Sequence, residues 1–135
     1  MMKKELQDKL FQKYPKIFRQ KNLSMQETCL CWGLECGDGW YKIIDLLCEL
    51  LQWDIDNNKY PQIEATQVKE KYGGLRFYTN GENEHQSGQI SYACNLSEIT
   101  CEECGSMENV TQTTGWIVTL CSDCLKKYKK ERGLK

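Results

Sequence analysis

Apolar residues recur at the spacing of an α-helix in two stretches of the N-terminal half. The first stretch covers residues 3–14 and ends before Pro15, and the second, stronger one covers residues 39–54. We expect both stretches to be helices, and we expect the second to bury one apolar stripe in the core. That stripe consists of Trp40, Ile43, Ile44, Leu47, Leu50 and Leu51.

The pattern changes to that of strands after residue 60. Residues 63–79 form two runs divided by Gly73-Gly74, which predicts a hairpin with a two-residue turn. A polar loop over residues 80–86 and a short helix over residues 88–100 are expected to follow. Helices that flank a hairpin, without internal repeats, predict an α+β domain.

Two C-x2-C pairs near the C-terminus are separated by sixteen residues, and their members are Cys101, Cys104, Cys121 and Cys124. Each pair can turn two thiolates towards one point, and two pairs complete the closed tetrahedral shell that structural Zn2+ prefers. Disulfides or reduced core cysteines are the alternatives. A zinc ion with four cysteine ligands has no open position for catalysis.

The second pair opens a predicted helix over residues 122–132. A knuckle, a strand or hairpin over residues 115–120 and a knuckle on a helix outline a treble-clef finger. The predicted architecture is a compact single α+β domain with N-terminal helices and a central hairpin or small antiparallel sheet in residues 1–100. Residues 101–135 are expected to form the treble-clef-like, four-cysteine zinc finger with a basic C-terminal helix, which carries Lys126, Lys127, Lys129, Lys130 and Arg132.

Charge and cysteine content narrow the choice of environment. The net charge of −1 gives no general attraction to nucleic acid. The charged N-terminus and the lack of a long apolar run predict a cytoplasmic protein that does not span a membrane. Nine cysteines in a reducing compartment favour metal binding and buried thiols, and an odd number excludes complete internal pairing.

The predicted hairpin also carries a charged face. A turn at Gly73-Gly74 would place Lys71 opposite Arg76 and Lys69 opposite Tyr78. Two cations directly across from each other are destabilising unless solvent, a carboxylate or a bound anion relieves them. We therefore consider this face a candidate site for an anionic ligand or partner, against the alternative of a solvated strand face. An unpaired edge of the hairpin would support a dimer unless the fold covers it, so the oligomeric state stays open.

The segment Cys36-Gly-Asp-Gly-Trp40 allows two interpretations. Asp38 is expected to cap the following helix, with Trp40 packed below it. The alternative is an anion site at the start of that helix, with Trp32 or Trp40 as a stacking wall.

No catalytic constellation is present, so we expect a protein that is not an enzyme. A second zinc at Cys29, Cys31 and Cys36 would need a fourth ligand, for which Cys48, Cys94 and His85 are the choices. The spacing of these cysteines is less regular than paired knuckles and favours buried thiols.

These motifs resemble those of small, mostly uncharacterised proteins encoded by phages and prophages. The resemblance rests on Cys36-Gly-Asp-Gly-Trp40, on Gln67-Val-Lys-Glu-Lys-Tyr-Gly-Gly-Leu-Arg-Phe-Tyr78, and on the Cys-x2-Cys-Gly and Gly-Trp-Ile-Val-Thr-Leu-Cys-x2-Cys segments. The resemblance implies a phage accessory protein, a class that includes inhibitors of host defence and small host-interaction factors. It implies no catalytic residues.

The sequence therefore favours a zinc-stabilised, non-enzymatic binding protein of phage type. The candidate residues for binding a nucleotide-like anion or a host protein are Lys69, Lys71, Arg76 and Tyr78 on the hairpin face, together with Trp40. One alternative is a nucleic-acid-binding accessory protein that uses the basic C-terminal helix. A third is a thiol-redox or enzymatic role for the cysteines outside the finger.

Overall fold

The computed structural model describes residues 1–135, which form four α-helices, five short strands and three short 3-10 helices. The helices are α1 (Lys4–Lys13), α2 (Tyr41–Asn57), α3 (Glu84–Ser97) and α4 (Ser122–Glu131). The strands are β1 (Leu34–Glu35), β2 (Glu64–Lys71), β3 (Gly74–Asn80), β4 (Val110–Gln112) and β5 (Thr119–Cys121). The predicted compact α+β class is confirmed. None of the helices has both the length and the apolar character that crossing a bilayer requires.

The main sheet has the strand order β1, β2, β3. The central hairpin of β2 and β3 is antiparallel, as predicted, but β1 lies parallel to β2, so the sheet is mixed. A two-residue strand such as β1 is too short to show alternation in the sequence. A separate antiparallel pair, β4 and β5, belongs to the C-terminal finger.

The hairpin turns one residue earlier than predicted. Tyr72 and Gly73 are the two turn residues, with φ of 53° and 80°, and Lys71 pairs with Gly74. Positive φ at both positions is the signature of a type I′ turn. The prediction of Gly73-Gly74 was wrong because it took the glycine pair as the turn, whereas Gly74 begins β3. This change moves every cross-strand partner by two positions, so each face keeps its predicted residues.

The main core consists of 20 buried residues from α1, α2, α3, one face of the sheet and the segments that flank these elements. Leu10, Trp40, Ile44 and Val68 are among those with no exposed surface. Most of the predicted stripe of α2 lies in this core, but Leu50 is 55% exposed and was wrongly assigned to it. The apolar stripe of α2 is wider than the surface that α3 and the sheet cover.

Helix α3 begins four residues before its predicted start. Asn83 and Gln86 form a reciprocal capping box, which ends the polar loop earlier than composition alone indicates. The side chain of Gln86 is fully buried and donates to Pro61 O at 3.0 Å. His85 therefore lies in the first turn of a helix and not in a loop.

The free edge of the hairpin is covered by α3. Leu75 in β3 donates its N–H to Ser97 Oγ in α3 at 2.8 Å. The other edge of the hairpin pairs with β1 at Val68 and Lys69. Both edges of the hairpin are therefore partly covered within the chain.

Candidate metal centre and its contacts with the core

Four thiols converge where β5 meets the start of α4. The Sγ atoms of Cys101, Cys104, Cys121 and Cys124 all lie within 4.8 Å of one another. The sulfurs of Cys104 and Cys121 are 3.7 Å apart. A tetrahedral Zn2+ with Zn–S bonds of about 2.3 Å needs about 3.8 Å between its sulfur ligands. The cluster therefore has the ligand number and the spacing of a closed metal site.

The backbone around the cluster favours the thiolate form of one cysteine. Burial acts to raise the pKa of Cys101, but the N–H groups of Cys121, Cys104 and Glu103 oppose it and the pKa falls to about 7. Burial and the neighbouring sulfurs raise the pKa of Cys124. A thiolate at Cys124 is therefore disfavoured in the absence of a cation.

The first knuckle closes with a tight turn. Gly105 has a φ of +83°, and its N–H donates to Cys101 O at 2.9 Å. The N–H of Cys101 in turn donates to Ser106 O at 2.8 Å. A glycine is required at this turn because side chains rarely adopt a positive φ.

The Cys36 to Trp40 segment packs directly on this knuckle. The N–H of Gly37 donates to Glu102 Oε2 at 2.9 Å, and the N–H of Gly39 donates to Glu102 O at 2.7 Å. A Cβ added at Gly39 would lie 2.6 Å from the backbone C and O of Glu102 and closer still to Cys101 O. The protein's own carboxylate thus fills the place of the predicted anion site, and burial raises the pKa of Glu102.

The predicted cap at Asp38 was wrong, and so was the alternative of Trp40 as a stacking wall, whereas the expected packing of Trp40 is confirmed. Asp38 Oδ1 accepts the N–H of Lys3 at 2.8 Å, and α2 has no side-chain cap. Asp38 therefore holds the start of α1 against the core. Trp40 is completely buried, and its indole N–H donates to Thr100 O at 3.0 Å. A stacking wall needs an exposed ring, so Trp40 is a core residue that joins α2 to the end of α3.

The tip of the β2–β3 hairpin docks on the finger. Gly73 O accepts hydrogen bonds from Thr119 Oγ1 at 2.5 Å and from Gln112 Nε2 at 3.4 Å. A Cβ added at Gly73 would lie 2.8 Å from side-chain atoms of Ile117 and Thr119. The Cys36–Trp40 segment and the tip of the hairpin therefore both pack against the C-terminal finger.

The outer face of the hairpin is the surface opposite the core, and we define it by Lys69, Lys71, Arg76 and Tyr78. The observed register places Lys69 opposite Arg76, while Lys71 lies beside the turn. Lys71 and Tyr78 are exposed, and Lys69 and Arg76 are half-buried. None of the three cations forms an ion pair. The structure brings these four predicted residues onto one face and leaves Trp40 elsewhere.

Carboxylates offset part of the charge on this outer face. Strand β1 places Glu35 beside Lys69, and the buried Oε1 of Glu35 has no hydrogen-bond partner. The side chains of Arg76 and Glu98 both lie close to Gly74. The outer face lines neither of the two main cavities.

The remaining cysteines do not assemble into a second cluster of metal ligands. Cys36 and Cys48 are buried in the main core, whereas Cys29 is exposed and Cys31 is half-buried. Burial raises the pKa of the Cys36 thiol to about 12, and it also raises that of Cys48. Both buried thiols are therefore protonated at neutral pH and behave as small apolar side chains.

Sequence reasoning missed an apolar groove between α2 and α3. The groove has a volume of about 920 Å3, and its lining includes Leu46, Leu50, Tyr92 and Met107. All four side chains are more than half exposed. The available signal was the width of the apolar pattern in α2, which continues to Trp53 and exceeds what one core-facing stripe needs.

Comparisons with protein-family models, with curated proteins and with solved structures find no match to this chain. A function has to be inferred from the residues and their geometry. Three features are available for that purpose: the four-cysteine cluster, the outer face of the hairpin and the groove.

Proposed function

We propose that this protein is a zinc-stabilised, non-enzymatic binding protein. A donor set of four thiolates suits Zn2+ and is foreign to Mg2+ and Ca2+, which prefer oxygen ligands. We propose that the succession of a knuckle, the β4–β5 hairpin and a knuckle on α4 forms a treble-clef finger. The sulfur cluster, with all four atoms within 4.8 Å, is the observation that carries the proposal.

In this proposal the zinc has a structural role. The ion fixes the knuckle at Cys101 and Cys104, and Gly39 docks on the backbone of that knuckle. The finger also holds the hairpin tip through Gly73 O. Metal binding thereby sets the position of the hairpin relative to the rest of the core, since metal binding and folding are coupled at sites of this kind.

The outer face of the hairpin is the proposed binding surface. Its three cations have no ion-pair partner. The face lines neither of the two main cavities, which favours a macromolecule over a small ligand. We propose an acidic patch on a host protein as the partner. The resemblance to phage-encoded proteins supports this choice, and it supports an anti-defence role in the host cytoplasm.

The binding proposal is tested by reversing charge on the outer face. The zinc-loaded protein and its Lys69→Glu/Arg76→Glu variant are used as bait in a host lysate, with Lys16→Glu, an exposed cation outside the face, as the matched control. We expect a partner recovered by the wild type and by the control and lost with the double variant. Identical recovery by all three baits would overturn the proposal. Native mass spectrometry with a nucleotide panel tests the alternative in which the outer face binds a small anion. A nucleotide complex that depends on Arg76 would favour this alternative over a protein partner.

Nucleic-acid binding is a second candidate because of the charge on α4. Lys126, Lys127 and Lys130 are exposed, and none of them forms an ion pair. Cations of this kind can neutralise phosphates. A gel-shift titration over salt decides the matter, because phosphate contacts require affinity that falls steeply with added salt, and absence of binding at low salt ends this candidate.

A further inference from the structure

The groove between α2 and α3 belongs to a larger apolar surface that neither the finger nor the hairpin explains. We define the groove face by Leu46, Leu50, Trp53, Tyr92 and Met107, which are 59%, 55%, 59%, 72% and 55% exposed. The first three lie at helical spacing on one side of α2. Single exposed apolar residues are ordinary, but monomeric proteins rarely expose contiguous apolar patches of more than a few hundred Å2.

Helices α2 and α3 run antiparallel along the groove. At one end, His85 in α3 lies 3.6 Å from Asp54 near the end of α2. At the other end, the indole of Trp40 before α2 bonds to Thr100 O after α3. Each helix therefore begins where the other ends.

Lys42 and Glu84 lie in the first turns of α2 and α3, and both line the groove. Both are exposed, and neither forms an ion pair. The two ends of the groove are about 18 Å apart, because an α-helix such as α3 rises about 1.5 Å per residue. One unpaired cation and one unpaired carboxylate thus mark the opposite ends of the groove face.

We propose that the groove face is the interface of a two-fold symmetric homodimer. A two-fold axis in the plane of the face, perpendicular to the line from Lys42 to Glu84, places each Lys42 over Glu84 of the second copy. This self-complementarity is what an isologous interface requires. Both charges then gain a partner, and the contact forms twice in the dimer.

The apolar area agrees with this assignment. Five large side chains that are more than half exposed contribute roughly 100 Å2 each, which is most of the roughly 800 Å2 per partner of a standard interface. The polar rim supplies the remainder. An amphipathic helix of another protein would also need an apolar groove, but it would not require that the two end charges be complementary to each other.

The first test is the mass of the zinc-loaded protein in solution. At about 100 µM, which populates a dimer of micromolar Kd, sedimentation velocity should give twice the 15.8 kDa mass of one chain. Leu50→Asp should give a monomer with unchanged far-UV circular dichroism, because Leu50 is exposed and its loss leaves the core intact. Leu134→Asp, an equally exposed leucine outside the face, should remain dimeric. A monomeric wild type, or a dimer that persists in Leu50→Asp, would overturn the proposal.

The second test distinguishes the proposed arrangement from other contacts of the same face. Lys42→Glu and Glu84→Lys alone should each weaken the homodimer tenfold or more, since each creates two like-charge contacts. Mixed together, the two variants should form a heterodimer as stable as the wild type, visible by native mass spectrometry with one variant labelled with 15N. Lys9→Glu, an exposed and unpaired cation on α1, should have no effect. If the mixture recovers no heterodimer, the two-fold arrangement is wrong.

Discussion

Replacing Gly39 with alanine should weaken the contact between the core and the first cysteine knuckle. The added Cβ would lie 2.6 Å from the backbone C and O of Glu102, whereas ordinary contacts begin at 3.4 Å. The obstructing atoms are backbone atoms of the knuckle, so no side chain can rotate away. Either the Cys36–Trp40 segment or the knuckle has to move.

The expected loss of stability follows from two contributions. Forced overpacking costs about 1–3 kcal/mol, and the Gly39 N–H bond to Glu102 O is worth about 1 kcal/mol when it is lengthened or lost. Together they lower the free energy of unfolding by about 2–4 kcal/mol. For a chain of this size the melting temperature should fall by about 10 °C. The knuckle should also release its metal faster, because the backbone that Gly39 supports carries Cys101.

Gly88→Ala is the matched control for this change. Gly88 lies inside α3, and a Cβ there would meet nothing within 4 Å. Alanine in a helix interior should raise stability by about 0.5–1 kcal/mol. Urea unfolding of the zinc-loaded proteins, followed by tryptophan fluorescence, measures both effects, and a chromophoric chelator measures zinc release. If Gly39→Ala is as stable as wild type and retains zinc as well, the close packing of the motif on the knuckle is refuted.

Three further predictions test other contacts. Gly73→Ala should lower the free energy of unfolding by about 2–4 kcal/mol, because it adds backbone strain and a clash with the finger. Gly81 has a similar φ and open space around it, so Gly81→Ala should show the strain alone, and equal losses in urea unfolding would exclude docking of the hairpin tip. Trp40→Phe should cost about 1–3 kcal/mol, because it leaves a buried carbonyl unpaired, and an unchanged melting temperature would contradict that hydrogen bond. Iodoacetamide should label the exposed Cys29 in the folded protein and leave Cys36 unmodified even at about pH 9, since burial holds the pKa of the Cys36 thiol at about 12. Labelled Cys36 in peptide mass spectrometry would contradict the burial of this residue.

The spacing of the cysteines predicted the four-cysteine cluster correctly because the geometry of a C-x2-C pair is local. Two residues between Cys101 and Cys104 are enough to turn both sulfurs to one side, whatever the rest of the chain does. The assignment of faces on the hairpin survived an error in its turn for a similar reason. Alternation in strands has a period of two, and the register changed by two positions.

The roles of the glycines could not be predicted in the same way. Glycines in a short loop usually indicate a turn that needs conformational freedom, yet the φ of Gly37 is −77° and is ordinary for any residue. What excludes a side chain at both positions is the backbone of Glu102, which is more than sixty residues away in the chain. Such a contact is a property of the tertiary structure and leaves no local pattern.

The exposure of the α2 stripe was hidden from the sequence for a related reason. Periodicity identifies which residues share a face of a helix, but it does not indicate whether another element covers that face. Ile44 and Leu50 look alike in the pattern, although Ile44 is fully buried and Leu50 is 55% exposed. The groove therefore became visible only from the packing of α2 against α3.

The most direct test of a zinc-stabilised fold is X-ray absorption at the zinc edge of the purified protein. We predict one zinc per chain with four sulfur neighbours at about 2.3 Å, and one fewer sulfur in Cys104→Ser. A protein that is folded without bound metal would contradict a zinc-stabilised fold. A zinc ion with nitrogen or oxygen ligands in place of the four sulfurs would contradict the assignment of Cys101, Cys104, Cys121 and Cys124 as the zinc ligands.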